Sequence, residues 1–290
     1  MLRYFAAFLA DQVSYRTIKL YMASIRFFHI ENNLLDPFQD APLLHLLLRG
    51  IKRSLGLSSK RRLPITISLL RKLKTELAQA PDILPHDKRM LWSAFTLAFF
   101  AFLRSSEFTS PSTTHFNPLS HLNFNDISFH PDGSLGLHLK SSKTDPYRQG
   151  CSLLITPSGH SVCAVRAIKK YMAHRPSNSD GPFYMFQSGL YLTRAKVTST
   201  LRLLLKRLHI PTELYASHSF RIGAATTAAE AGLPPWLIQT LGRWSSNCFA
   251  LYIRTPASIL QKVPGLLATA AAGTQSVWNP QEGRCTYLSG

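Results

Sequence analysis

Apolar residues recur at helical spacing along most of the chain, and the places where that period breaks divide it into parts. At the start, Phe5, Phe8 and Leu9 suit an amphipathic helix, and the short apolar run with Asp11 directly behind it does not read as a targeting peptide. Residues 17–31 carry Ile18, Tyr21, Met22, Ile25, Phe28 and His29 on one side, and Asp36-Pro37 ends the pattern. Residues 42–54 turn Leu43, Leu44, Leu47 and Ile51 inward and Arg49, Lys52 and Arg53 outward. A Gly/Ser-rich basic run, GLSSKRR, follows and marks a domain boundary. Helical spacing resumes at 67–80 with Leu69, Leu70, Leu73 and Leu77. It continues through 88–103, which is apolar almost all round and therefore predicts a buried helix ending at Arg104.

The period then changes to two. Residues 127–130, the turn Pro131-Asp132-Gly133-Ser134, and the alternation Leu135, Leu137, Leu139 predict a hairpin, with a third strand at 152–156. Two more amphipathic helices are expected at 162–175 and 193–209, the second carrying Arg194, Lys196, Arg202, Lys206 and Arg207. The expected fold is mainly α with a small antiparallel β-sheet. A helical domain over 1–57 and a connector at 58–62 precede a larger domain over 63–265 and a tail at 266–290.

Charge narrows the class of partner. The 290 residues carry 33 Lys and Arg against 15 Asp and Glu, a net charge of +18, and the isoelectric point is near 10.1. In a chain with 45% apolar residues this imbalance points to a polyanion, with nucleic acid first. A membrane surface is the weaker reading, because no apolar run approaches the ~18 residues a span needs. The four cysteines, Cys151, Cys163, Cys248 and Cys285, show neither metal-ligand nor disulfide spacing, so a reducing, intracellular setting fits.

The densest chemistry lies between 217 and 252, SHSFRIGAATTAAEAGLPPWLIQTLGRWSSNCFALY. His218 and Arg221 stand one helical turn apart and so share a face. Ser217 or Ser219 is a candidate N-cap. A helix follows to Gly232, and Pro234-Pro235 opens a second one that stops at Gly242. Tyr252 lies ten residues beyond that glycine, near enough to fold back onto the His–Arg pair. Earlier in the chain, Arg104 followed by Glu107 reads as a cation favoured at a helix C-terminus with an acid three residues on. Lys143, in SSKTDP, reads as an exposed lysine at a strand end.

The order H-x-x-R, G-R-W-S, Tyr252 resembles the C-terminal signature of the tyrosine recombinases, or phage integrase family. The wording HSFRIGAAT, LGRWSS and YIRTP is similar to DIRS-like and Crypton-like recombinases of eukaryotic mobile elements. The likeness runs from about Tyr15 to Pro256. It implies a two-part clamp on duplex DNA, with 1–57 as the core-binding domain and 63–265 as the catalytic domain. Arg104 and Arg221 would hold the scissile phosphate, with Glu107 orienting Arg104. Lys143 would sit at a hairpin tip beside it, and Tyr252 would be the nucleophile. Counting back nine residues from Tyr252, the family's His or Trp position falls on Arg243, so either Trp244 fills it by a local shift or Arg243 does so as a third cation.

Arginine suits such a site: it stays protonated and its planar fork donates paired hydrogen bonds to phosphate. A tyrosine hydroxyl, with a reference pKa of about 10, needs a base, for which His218 is the candidate, while Lys143 is the candidate acid for the leaving 5′ oxygen. The resemblance implies neither metal nor ATP. It further implies site-specific recombination of a mobile element by a homo-oligomer on DNA, in a nuclear setting. Candidate DNA contacts are Arg49, Lys52, Arg53, Lys60, Arg61, Arg62, Arg202 and Lys206. Two other readings stay open: a catalytically silent DNA-binding descendant, and a type IB topoisomerase-like enzyme sharing the chemistry.

Overall fold

The computed structural model describes the chain apart from residues 57–60, 143–144, 146, 176–180, 255–260, 262–263, 265–275, 280–283 and 288–290; over 276–279 and 284–287 it describes the backbone alone. Lys60 and Lys143 therefore lie outside the described residues. The chain divides into two compact units, Met1–Arg61 and Arg62–Gly290.

The first unit is three helices, α1 (Leu2–Ala10), α2 (Tyr15–Glu31) and α3 (Pro42–Leu55). Ser14 caps α2 by accepting from the Thr17 backbone N–H at 3.3 Å, and Pro42 occupies the first turn of α3, where its missing N–H is harmless. Ala6, Leu9, Ile18, Met22, Leu44 and Ile51 form its small core. The buried stripe is narrower than the pattern implied. Leu43, expected inside, is 57% exposed, and Tyr21, Phe28, Phe5 and Phe8 also face outward. Arg49, Lys52 and Arg53 are exposed on α3, as expected.

The second unit is built round α5 (Pro85–Phe100), which buries Met90, Leu91 and every residue from Ser93 to Phe99. Burial on all sides explains the absence of a polar stripe, and even its polar groups are satisfied inside: Ser93 Oγ and the Tyr184 hydroxyl are 3.1 Å apart. Against α5 pack α4 (Ile67–Gln79), α6 (Ala164–Met172) and α8 (Ser219–Glu230); α7 (Arg194–Arg207) lies against α4, and α9 (Pro235–Gly242) against α8. Strands β1 (Ile127–Phe129), β2 (Leu135–Leu139) and β3 (Cys151–Ile155) form an antiparallel sheet in the order β1-β2-β3. Its inner row of Leu135, Leu137 and Leu139 enters the core, as the alternation predicted. In the tail, β4 (Ser276–Asn279) pairs antiparallel with β5 (Arg284–Tyr287).

Two differences bear on the site. Helix α5 ends at Phe100, three residues before the predicted Leu103, because Phe102 takes a left-handed φ of 50° and turns the chain. Arg104 is thus not a helix-terminal cation; it opens a short 3-10 turn, Ser105–Glu107. Neither serine caps α8: its N-cap is His218, without a side-chain cap bond. Ser219 Oγ accepts from the Ala216 N–H at 3.1 Å instead, and Ser217 Oγ is buried without a partner among the described residues.

Candidate active site

Four segments deliver the predicted residues to one place. The Phe102 turn sends Arg104 and Glu107 back across the end of α5. Helix α8 supplies His218 and Arg221, the C-terminus of α9 supplies Arg243 and Trp244, and the short 3-10 turn Asn247–Leu251 leads into Tyr252. Helix α8 lies close against the start of the second unit. Ile65 N–H donates to the Ser219 carbonyl at 2.9 Å, and a Cβ on Gly223 would meet the Ile65 carbonyl oxygen at 1.8 Å, so only glycine fits there.

The sequence G-R-W has a geometric cause at each residue. Helix α9 ends in a Schellman arrangement, with the Trp244 N–H donating to the Gln239 carbonyl at 3.1 Å and the Arg243 N–H to Thr240 at 2.9 Å. That places Arg243 in the left-handed region, φ 55° and ψ 47°, a conformation costing a non-glycine residue ~1–2 kcal/mol. The chain then folds Trp244 across Gly242, where a Cβ would lie 1.5 Å from the indole ring. Trp244 is buried, 5.0 Å from the Tyr252 ring centroid.

Glu107, its carboxylate 1% exposed, joins two of the arginines. Oε1 accepts from Arg104 Nη1 at 3.0 Å; Oε2 accepts from Arg243 Nη2 and from the Arg104 backbone N–H, each at 2.7 Å. Arg243 Nη1 also donates to the Ala101 carbonyl at 3.0 Å. Of the two candidates for the ninth-residue position, therefore, Arg243 is drawn away to Glu107 and Trp244 faces the tyrosine. The sequence pattern anticipated the Arg104–Glu107 pair but not the bond from Arg243, which comes from 136 residues away.

Arg221, which the resemblance sets against a phosphate, is 0% exposed. Its terminal nitrogens donate to the Phe102 and Gly242 carbonyls, and its Nε is buried without a partner among the described residues. The guanidinium lies 4.2 Å from the Trp244 ring centroid and 5.9 Å from that of Tyr252, a cation–π stack. Burial, then the neighbouring Arg104 and Arg243, push its pKa down to about 9 against the pull of Glu107, which leaves it charged at neutral pH. His218 packs edge-on to Tyr252, ring centroids 5.2 Å apart. Burial first, then the charges of Arg221, Arg104 and Arg194, push its pKa down to about 4. Its imidazole is therefore neutral at pH 7 and able to accept a proton. The Tyr252 hydroxyl forms no hydrogen bond to a described residue.

Beside this cluster an open groove of about 930 Å³ is lined by Arg62, Ser112, Thr113, Arg194, Thr198 and Arg202 among others. Arg62, which its neighbours in the sequence assigned to the connector, is tied to the second unit by a 2.5 Å bond to the Glu213 carbonyl. Arg202 Nε donates to the Tyr215 carbonyl at 3.1 Å; Arg61 and Lys206 are exposed. Among the described residues no group of His, Cys, Asp and Glu could hold a metal ion, and no helix is long and apolar enough to cross a membrane.

The chain matches no protein-family model and no curated protein sequence. Its fold does match solved tyrosine recombinases. One is the Tn1549 transposon integrase in complex with circular intermediate DNA, at a TM-score of 0.58 and 15% identity, over 90% of this chain and 83% of that one. Another is the XerH site-specific recombinase bound to palindromic difH substrate, at 0.60 and 14%, over 92% and 69%. A third is the XerA recombinase, at 0.53 and 14%, over 90% and 85%. The fold class expected from the sequence, mainly α with a small antiparallel sheet, is thus the fold these neighbours share.

Proposed function

We propose that this protein cuts and rejoins duplex DNA through a covalent 3′-phosphotyrosine at Tyr252, as a site-specific recombinase of a mobile element. The observation that carries the proposal is the convergence of His218, Arg221, Trp244 and Tyr252, with the Arg104–Glu107–Arg243 chain of charge behind them. The likeness in fold to DNA-bound recombinases supports it, as does the basic groove alongside. The mobile-element assignment rests on the wording of the motifs, and with it the nuclear setting and the homo-oligomeric state.

In the proposed reaction the Tyr252 oxygen attacks phosphorus while the bond to the 5′ oxygen breaks. His218, neutral at pH 7, takes the phenolic proton; Lys143 is assigned from its sequence context to protonate the departing oxygen. Arg104 and Arg221 stabilise the charge gathering on the non-bridging oxygens, each worth roughly 3–4 kcal/mol of barrier. Glu107 holds the Arg104 guanidinium in one orientation, and Trp244 fixes the tyrosine ring by packing. One phosphodiester replaces another, so a second 5′-hydroxyl can reverse the step without an energy source.

One observation favours the silent DNA-binding reading: Arg221 is fully buried, with both terminal nitrogens on backbone carbonyls. For catalysis the segment carrying Trp244 and Tyr252 has to shift and admit the phosphate. A suicide duplex nicked beside the cleavage site, drawn from flanking DNA or a randomised pool, separates the readings. A denaturation-resistant protein–DNA adduct in the wild type, absent in Tyr252→Phe, is the expected result. Salt-sensitive binding with no adduct in either protein assigns the chain to the silent class.

A further inference from the structure

Away from the tyrosine, a second cationic site is built into the second unit. Lys74 of α4, Arg89 of α5, and Arg166 and Lys170 of α6 line one small pocket with Trp92, Ser161 and the α6 N-terminus. Its volume, about 100 Å³, is well below the ~300 Å³ at which sites for drug-sized ligands begin, and suits a single phosphate group. Arg89 lies 11 residues before the end of α5, so about 16 Å of helix separates the pocket from the turn that carries Arg104.

These cations lack the acids that would make them ordinary surface pairs. Among the described residues none of the four forms a salt bridge. The nearby acids are engaged elsewhere: Glu76 of α4 with Arg207 at 3.9 Å, and Asp87 of α5 accepting from the Gln187 N–H at 2.8 Å. Arg166 is moreover in the first turn of α6, which has no acidic residue and no side-chain cap. A cation at the positive end of a helix is unfavourable. Local conflicts of this kind are expected where function compensates for them. Lys74 is held in place by donating to the Ser161 carbonyl at 2.6 Å and by lying 5.9 Å over the Trp92 ring. The cations are thus presented together around one small hollow.

We propose that this pocket holds a backbone phosphate of a second DNA duplex, so that one protomer grips two duplexes at once. The proposal rests on the DNA-binding part of the function above but not on its chemistry. Mutual repulsion among four unpaired cations is relieved by a dianion or by successive phosphates, and duplex DNA is the polyanion this chain is already built to meet.

The test is the number of short duplexes bound per protomer at saturation, measured by sedimentation with the full chain, which is independent of oligomeric state. Two per protomer is expected for the wild type and one for Arg89→Gln/Arg166→Gln/Lys170→Gln. The tighter binding class and the adduct yield should remain within about twofold. Arg89→Lys/Arg166→Lys, which keeps the charge, should restore the second duplex and show that the loss is not unfolding. One duplex per protomer in the wild type overturns the proposal. So does a triple-Gln protein that still takes two, or displacement of the weaker class by polyglutamate at lower charge concentration than by DNA. If instead the second duplex binds and no adduct forms anywhere, the recombinase chemistry fails and this site stands.

Discussion

His218 is surrounded by the charges of Arg221, Arg104 and Arg194, and its depressed pKa sets a sign that can be checked. Protonating the imidazole removes the base, so adduct formation under kcat/KM conditions should be flat from neutral pH down to about 5 and fall as pH drops through about 4. A half-point near the ordinary 6.5 contradicts this. The same shift affects stability. Between about pH 6.5 and 4 the unfolded chain binds a proton that the folded one refuses, so acidification over that window costs stability, on the order of 3 kcal/mol at most for a pKa held down at about 4. His218→Phe should lose that part of the pH dependence in denaturant titrations. Glu107 gives a second prediction. Glu107→Gln leaves Arg104 and Arg243 without their shared carboxylate, and removing one partner of a buried pair costs roughly 3–5 kcal/mol. Adduct formation should drop about 100-fold even where the protein is folded, as judged by melting, on the scale of losing one oriented donor. At this scale the sequence was informative where the chemistry is local. His218 and Arg221 one turn apart, and Arg104 with Glu107 three residues on, could be read directly. It could not show that Arg243 reaches Glu107 or that Arg221 is sealed beneath Trp244, because both follow from how α9 ends.

Elements were legible where one period ran uncontested. The all-apolar stretch gave a buried α5, and alternation gave β2 with Leu135, Leu137 and Leu139 inside. The errors lie at ends, where a single backbone conformation overrides the pattern. Phe102 at positive φ stops α5 early, and His218 starts α8 without the expected serine cap. In α2 and α3 the buried stripe is narrower than the apolar pattern, since Tyr21, Phe28 and Leu43 are apolar yet outside. The end of α9 carries the sharpest element-scale prediction. Gly242→Ala places a methyl 1.5 Å from the Trp244 ring, so the indole must leave its seat over Arg221. The expected result is a stability loss on the order of 3 kcal/mol in denaturant titration, as for deleting a large core aromatic. The near-UV signal of Trp244 should disappear and no adduct should form. An unchanged tryptophan signal contradicts the packing account of G-R-W.

At the scale of the whole molecule, the proposed function has net charge and the open groove govern how DNA is held. Arg62, Arg194 and Arg202 line that groove, and each phosphate contact contributes about 0.9 to the slope of log affinity against log salt. Replacing Arg194 by Gln should therefore weaken binding to all duplexes alike and reduce the slope by about 1; an unchanged slope places DNA elsewhere. Composition pointed to a polyanion and motif order to a fold, and the fold is that of solved tyrosine recombinases at 14–15% identity. What composition could not locate is where the charge gathers, since the groove and the pocket on α4, α5 and α6 each combine residues far apart in sequence. The proposed function stands or falls on the covalent bond to Tyr252. Digesting the adduct and sequencing the DNA-linked peptide by mass spectrometry tests it most directly. The prediction is one modified peptide, with a 3′-phosphate esterified to Tyr252 and a free 5′-hydroxyl on the released strand. A phosphate on any other residue, or a 5′-phosphate left on the released strand, contradicts it.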